Sequence, residues 1–466
     1  MQPKIQGMTS RLTNTVNVIV PTGALGFGVR ESDLAADLDA GAHAIACDAG
    51  STDSGPAYLA TGRAKYSRDA VKSDLAILMR AQARAGIPLL VGSCGTSGAD
   101  DAVDWTLDIA LEIAREEGLK PRIAVLYSEL SPARIAEAAR QGLIAPLPPM
   151  QSCDPAQFAE CDRIVALMGP EPYIAAIEQG ADIVLGGRTT DTAVLAAVPL
   201  MRGAGAGPAW HAGKTAECGA LCTVRPRDCG VLIRVGAEAF EVEPLGATNR
   251  CTPATVSKHM LYENSDPFVL HEPGGALDVT AARYAAIDDR AVQVTGSTWV
   301  RAPYTMKLEG AARGGFQTLM LVGIQDRKVL ANIDRFVTRM HDALVARVLE
   351  TMGERAGRFD ISLRPYGWNA VTGLPVQGGP APRELGLLFV ATAATQEIAT
   401  QVAKTCNPWF FHLPLEDEQD LPTYAFPFSP AEIERGEVFE FRVNHVIRVE
   451  SPSELVRTRF VPAQGV

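Results

Sequence analysis

Short apolar runs alternate with polar, glycine-rich stretches and with segments of helical period through the first 200 residues. The runs fall at 16–20, 43–47, 87–91, 123–126 and 183–185. Between them lie helix-like stretches at 32–40, 72–85, 101–117 and 173–179, and another follows at 192–200. The clearest is 101–117, where Val103, Leu107, Ala110 and Ile113 recur every three or four residues and Gly118 supplies a stop signal. This alternation predicts an α/β domain over 1–205, built on a largely parallel sheet with helices on both faces.

The pattern changes after residue 205. Residues 204–213 are rich in Gly and Ala and read as a linker or mobile loop. Strand-like stretches at 231–235, 239–242, 292–300 and 304–308 follow, the last two alternating in places with period two. That suits a half-buried antiparallel sheet, so 206–315 reads as a β-rich middle region. An α+β domain is expected over 316–466. Its strands fall at 316–324, 359–363, 385–391 and 438–449, with a helix at 395–404. A longer helix runs from an Asp326 cap to about 352, with Leu330, Ile333, Val337, Met340, Leu344 and Val348 on one stripe. The order β-α-β-β-α-β is that of split βαβ, ferredoxin-like folds. The Asn407-Pro408 step reads as a turn before the aromatic cluster Trp409, Phe410 and Phe411, which is expected to close a core or a subunit contact.

The polar loops that end the apolar runs point to a site, because loops at the carboxyl ends of parallel strands line one crevice. Residues 48–56 hold Ser51, Thr52 and Asp53; 92–101 hold Ser93, Cys94, Thr96 and Ser97; 188–191 hold Arg188 and Asp191. Backbone N–H groups in such loops and at helix starts suit a carboxylate or a phosphate. Plain helix capping by Ser, Thr and Asp is the competing reading. Gly23-x-x-Gly26-x-Gly28 also follows a strand, but its glycine order departs from G-x-G-x-x-G, so a tight strand-to-helix turn is simpler and no cofactor is identified.

Three further groups carry candidate chemistry. Cys94 sits in a turn between a strand and a helix, where a nucleophile would be placed, although a small packing residue explains it as well. Thr252-Pro253 begins a helix expected over 253–264, which would set His259 and Glu263 on one face as an acid–base pair or as two metal ligands; a salt-bridged surface pair is the plain alternative. Lys307 and Glu309 alternate along a strand and Arg313 follows in a glycine-rich turn, so a cation there would hold an anionic substrate unless the face is merely solvated.

Charge and cysteine usage narrow the picture. The chain has 43 basic and 54 acidic residues and no long basic run, which weighs against nucleic acid. No apolar run approaches 18 residues, so no membrane span is expected, and without a secretory leader the cytoplasm is the default. Residues 1–7 read as a disordered leader before Met8. Nine cysteines at irregular spacing are not a disulfide framework. Cys218, Cys222, Cys229 and Cys251 raise the question of zinc, but the spacing lacks paired C-x-x-C steps and no metal is assigned.

Five segments resemble the acyclic terpene utilisation (AtuA) family: CDAGSTDSGP at 47–56, GSCGTSG at 92–98, GGRTTD at 186–191, SKHMLYENSDPF at 257–268 and KLEGA at 307–311. The resemblance implies a place in the breakdown of branched, unsaturated acyl compounds. The expected function is an enzyme that adds or removes water, or shifts a proton, next to a carboxylate or thioester. His259 or Glu263 would move the proton, assisted by Asp191 or Asp53. Ser51, Thr52, Ser93, Cys94, Thr96, Ser97, Arg188 and Lys307 would hold the substrate, a small carboxylate or an acyl-CoA, and loop N–H groups would meet enolate charge. A hydrolase using Cys94 or a loop serine, and a non-catalytic binding or assembly protein, are the alternatives. A homo-oligomer is expected from the aromatic segments and the β-rich later regions.

Overall fold

The computed structural model describes residues 11–228, 230–374, 376, 378, 380–417, 421, 422 and 424–462. The leader expected at 1–7 and Cys229 lie outside them. The chain is a mixed α/β protein of two compact units, one made of Met1–Ala312 with Phe441–Val466 and the other of Arg313–Glu440.

The first unit is organised by a ten-stranded sheet. Five inner strands are parallel, in the order Val16–Val20, Ala44–Asp48, Leu89–Gly92, Ile183–Gly186 and Arg122–Tyr127. Both flanks are antiparallel, which corrects the expectation of a largely parallel sheet. Val231–Val235 pairs with Val16–Val20, matching Val18 to Ile233, and Ala239–Pro244, Val292–Thr295 and Arg283–Ala286 extend that side. Arg457–Pro462 closes the other edge against Arg122–Tyr127. The strands from the expected middle region therefore add to the same sheet instead of forming their own. Val269–Glu272, Gly275–Asp278 and Thr298–Arg301 make a separate three-stranded sheet, and the stretch expected at 304–308 opens the strand Thr305–Ile324 of an eight-stranded sheet.

Alternate residues of the parallel strands feed two cores. Val18, Ala46, Leu90, Ala124 and Val184 face one side; Ile19, Ile45, Val91, Val125 and Leu185 face the other. Helices Arg68–Ala85 and Asp100–Glu117 cover the second face, and helix Asp191–Met201, buried from Thr192 to Pro199, lies on the first. A helix buried on all sides needs a partner over its outer face. That partner is Ala206–Ala216, the stretch expected to be a linker. Its Gly and Ala content is a packing device: a Cβ on Gly213 would stand 2.7 Å from the carbonyl oxygen of Thr192. The sequence-based boundary at 205/206 thus falls between two helices packed on each other.

The Gly23–Gly28 turn binds a carboxylate from its own chain. The N–H groups of Gly26, Gly28 and Val29 donate to the buried Asp74 side chain at 2.8, 3.0 and 2.9 Å. Replacing Asp74 by Ala orphans three donors, so Asp74→Ala is expected to lower stability by about 3 kcal/mol or more in urea unfolding, with no change in ligand binding.

In the second unit, Leu385–Ala393 pairs antiparallel with Phe359–Tyr366 on one side and with 316–324 on the other. The long helix is broken: Asp326 caps Arg327–Leu330, the chain turns at Asn332 (φ −138°, ψ 40°), and Ile333–Met352 follows. Helix Gln396–Phe410 runs through Pro408, where a turn was expected, because the burial of Phe410 and Phe411 in the core outweighs the lost backbone donor. Arg313, expected in a turn, lies within the continuous strand Thr305–Ile324 and pairs with Glu437.

Candidate active site

The carboxyl ends of the inner strands meet in one place. Ala49 N–H donates to the Gly92 carbonyl at 2.9 Å, and Ser93 and Cys94 N–H donate to the carbonyls of Gly187 and Gly186 at 3.1 and 2.9 Å. The three loops at 48–56, 92–98 and 186–191 are therefore stitched together. Their approach requires small residues: a Cβ on Gly98 would stand 2.1 Å from the Arg188 nitrogen.

Over these loops lies a polar cavity of about 400 Å³, in the range of small-molecule sites. Its wall includes Ser51 and Asp53 from the first loop and Arg188 and Asp191 from the third. Glu263 comes from the turn after 259, and Lys307 and Glu309 from the strand Thr305–Ile324. Among the lining residues unassigned in the sequence are Thr190, Thr192, Lys214 and Glu217. Glu272 also lines it, at the end of strand Val269–Glu272, where the Pro273-Gly274 turn (Gly274 φ +83°) folds the hairpin back.

The charges are largely spent on one another. Arg188 is buried; its Nε donates to Glu309 at 3.0 Å, and its Nη1 donates to Asp191 at 3.2 Å and to the Ser93 hydroxyl at 3.1 Å. Glu309 also accepts from Lys307 at 2.8 Å and from Thr52 at 2.7 Å. Burial pushes the Glu309 carboxyl up, but the charges of Arg188 and Lys307 outweigh it and hold the group down at about 2. Arg188 is thus the centre of an internal network, and the cavity wall carries more carboxylates than cations. The less committed cation is Lys307, whose side chain is 41% exposed.

Several carboxyls behave in the opposite way to Glu309, among them Glu217, which burial raises to about 8 against the pull of Lys214. Burial pushes Asp48 well up, and neighbouring Asp191 adds to the effect; its Oδ1 has no hydrogen-bond partner. Burial likewise raises Asp191 against the pull of Arg188. Burial raises Glu272 to about 7, although Thr190, Thr192 and Lys214 oppose it, and its Oε2 is buried without a partner. A carboxyl poised near neutrality in a cavity can both take and return a proton.

Other sequence candidates fall elsewhere. Ser93, Cys94, Thr96 and Ser97 are fully buried beneath the cavity floor. Thr96 accepts the Lys65 N–H at 3.0 Å. Cys94, expected in an exposed turn, points its Sγ toward the Val91 carbonyl at 3.8 Å, and burial drives its thiol far up. Such a thiol is not a nucleophile. The helix expected over 253–264 ends at His259, and Glu263 sits in a left-handed turn (φ 55°), so the two do not share a helix face. The apolar Met260 and Leu261 continue the helical pattern in the sequence, while the chain leaves the helix there. His259 is buried behind the wall, stacked on Tyr262, and burial with the charge of Lys214 keeps its imidazole neutral down to about 4.

No helix among the described residues is long and apolar enough to cross a membrane. No curated protein and no solved structure matches the chain. A family model described as acyclic terpene utilisation family protein AtuA matches residues 51–412. That span takes in the first loop from Ser51 onward, the other two loops, every residue of the cavity wall and most of the chain. The chain belongs to the acyclic terpene utilisation (AtuA) family.

Proposed function

We propose that the cavity is the active site of an enzyme that moves a proton next to the carbonyl of a branched or unsaturated acyl carboxylate or thioester, as in hydration, dehydration or double-bond migration. The observation that carries this reading is Glu272, a carboxyl on a cavity wall with one buried oxygen free of any partner and a pKa near neutrality. Its carboxylate takes the proton from the carbon beside the acyl carbonyl. The electron pair of that C–H bond passes into the carbonyl oxygen, and the Lys307 ammonium meets the charge that develops there. In isomerisation the proton returns from Glu272 to the γ-carbon. In dehydration the β-hydroxyl departs as water, taking a proton from a second carboxyl such as Asp191.

Membership of a family tied to acyclic terpene utilisation supports a branched acyl substrate. The cavity volume supports a short acyl group, with a thioester carrier extending outside. Lys307 supports recognition of an anionic or carbonyl oxygen. The role first given to His259 or Glu263 is assigned to Glu272, because the imidazole is held behind the wall and, of Glu263 and Glu272 on the wall, Glu272 has the buried oxygen without a partner.

A thermal-shift panel tests the reading: free branched enoic and hydroxy acids against their CoA thioesters. A ligand at a hundred times its Kd raises stability by about 2.7 kcal/mol. At least one class is expected to raise the melting temperature of the wild type and to do so less for Lys307→Met. A panel without any shift would speak against an acyl site.

A further inference from the structure

Behind the same wall, three different metal-ligating atoms converge. A carboxylate oxygen of Glu217, the sulfur of Cys218 and a ring nitrogen of His259 lie within 4.8 Å of one another. Glu217 and Cys218 follow directly on helix Ala206–Ala216, and His259 is the last residue of helix Pro253–His259. The elements that place them are distant in sequence, which is why the cysteine spacing alone did not disclose the group.

We propose that Glu217, Cys218 and His259 form a binding site for a borderline-soft divalent ion of the zinc class. The independent observation is His259: its side chain is only 5% exposed, yet its Nε2 is buried with no hydrogen-bond partner. An orphaned imidazole nitrogen in the protein interior is a cost that a metal removes. The mixed O, S and N donor set suits zinc, cobalt or nickel and disfavours magnesium and calcium, which demand oxygen. Glu217 already accepts hydrogen bonds from Lys214 and, at 3.3 Å, from the Thr192 hydroxyl, but each carboxylate oxygen has a second lone pair. The carboxyl end of an eleven-residue helix adds partial negative charge that partly offsets Lys214.

Three protein ligands leave a further position open, the arrangement of catalytic rather than structural zinc. Glu217 belongs to the acidic cavity, whereas Cys218 and Tyr262, which stacks on His259, line a separate cavity of about 490 Å³ bounded by Gly23 and Phe27. An ion and the ligand at its open position therefore have two routes of approach. Binding releases the Cys218 thiol proton to solvent as the sulfur–metal bond forms. Cys222 and Cys251 do not belong to the group, since they are engaged with each other. The three donors do not include Glu272, although Glu217 and Glu272 border the same cavity; the cobalt band reports on the metal site and not on acid–base chemistry.

The test uses the full chain after dialysis against a chelator, titrated with Co²⁺. One equivalent is expected to bind and to give a thiolate-to-cobalt charge-transfer band with four- or five-coordinate visible absorption. Cys218→Ser is expected to abolish that band, Cys251→Ser to retain it, and His259→Ala to weaken binding by at least about tenfold, the smallest loss typical even of outer-shell partners. A wild type without the band, or a band that survives Cys218→Ser, overturns the site. Should a ligand variant fail to fold, the wild type still decides: Zn²⁺ at micromolar excess is expected to raise its melting temperature, and the absence of any shift overturns the proposal.

Discussion

Arg188→Met is expected to unfold the protein more readily rather than simply weaken its hold on substrate. The guanidinium is buried and bonded to Glu309, Asp191 and Ser93. Removing it strips the buried Glu309 of its buried cation, leaving the half-exposed Lys307, and takes the partner from the partly buried Asp191, a loss of about 3–5 kcal/mol. Glu309 carries most of this loss, since its carboxyl is held at about 2 by Arg188 and Lys307. The stability Glu309 contributes is present above the ordinary carboxylate pKa of 4.5 and disappears as pH falls through about 2. The double change Arg188→Met with Glu309→Met should recover part of the loss, because an apolar pair of similar volume leaves no charge stranded. Urea unfolding of Arg188→Met, Glu309→Met and the double variant measures the loss and its recovery. Wild-type stability for Arg188→Met, with only a raised KM, would instead make Arg188 a substrate anchor.

Glu272→Gln is the second change of large effect, and it separates function from stability. Turnover is expected to fall by at least about a hundredfold, the usual contribution of a positioned acid–base group. Stability moves the other way. The folded carboxyl is held at about 7 against an ordinary 4.5, so the folded protein keeps a proton that the unfolded chain releases between those values. Glu272 therefore costs nothing below pH 4.5 and destabilises progressively up to about pH 7, above which the penalty levels off at on the order of 3 kcal/mol. The variant should match the wild type at pH 4 and exceed it at pH 8. Equal unfolding midpoints at both pH values would mean that the group is not perturbed. In the wild type, kcat/KM should rise with pH through about 7 as the base is freed.

Much of the site's location was legible in the sequence, because its parts are local. A buried parallel strand writes itself as an apolar run, and the loop at its carboxyl end as a change to Gly, Ser, Thr and Asp; Asp53, Arg188 and Asp191, which line the cavity, stand in such loops. Lys307 was reached through strand alternation. Glu272 and Glu217 were not, since their chemistry comes from burial against elements far away in the chain. No local pattern distinguishes a solvated glutamate from one held at about 7. Lys214 was hidden further by its setting, a Gly- and Ala-rich helix that imitates a linker until its close contact with Thr192 is seen. The sheet's composition was obscured for a similar reason. That Val231–Val235 would pair with Val16–Val20 depends on contacts more than 200 residues apart, and the alternation of either strand alone does not specify its partner.

The central claim is that the cavity moves a proton beside an acyl carbonyl through Glu272. Its most direct test is NMR of branched enoyl and 3-hydroxyacyl thioesters incubated with the protein in D₂O, following deuterium at the α- and γ-carbons. Wild-type protein should incorporate deuterium into at least one member of the series, and Glu272→Gln, still folded, should not. Incorporation that continues undiminished in the variant, or is absent with every thioester offered to the wild type, would contradict the assignment.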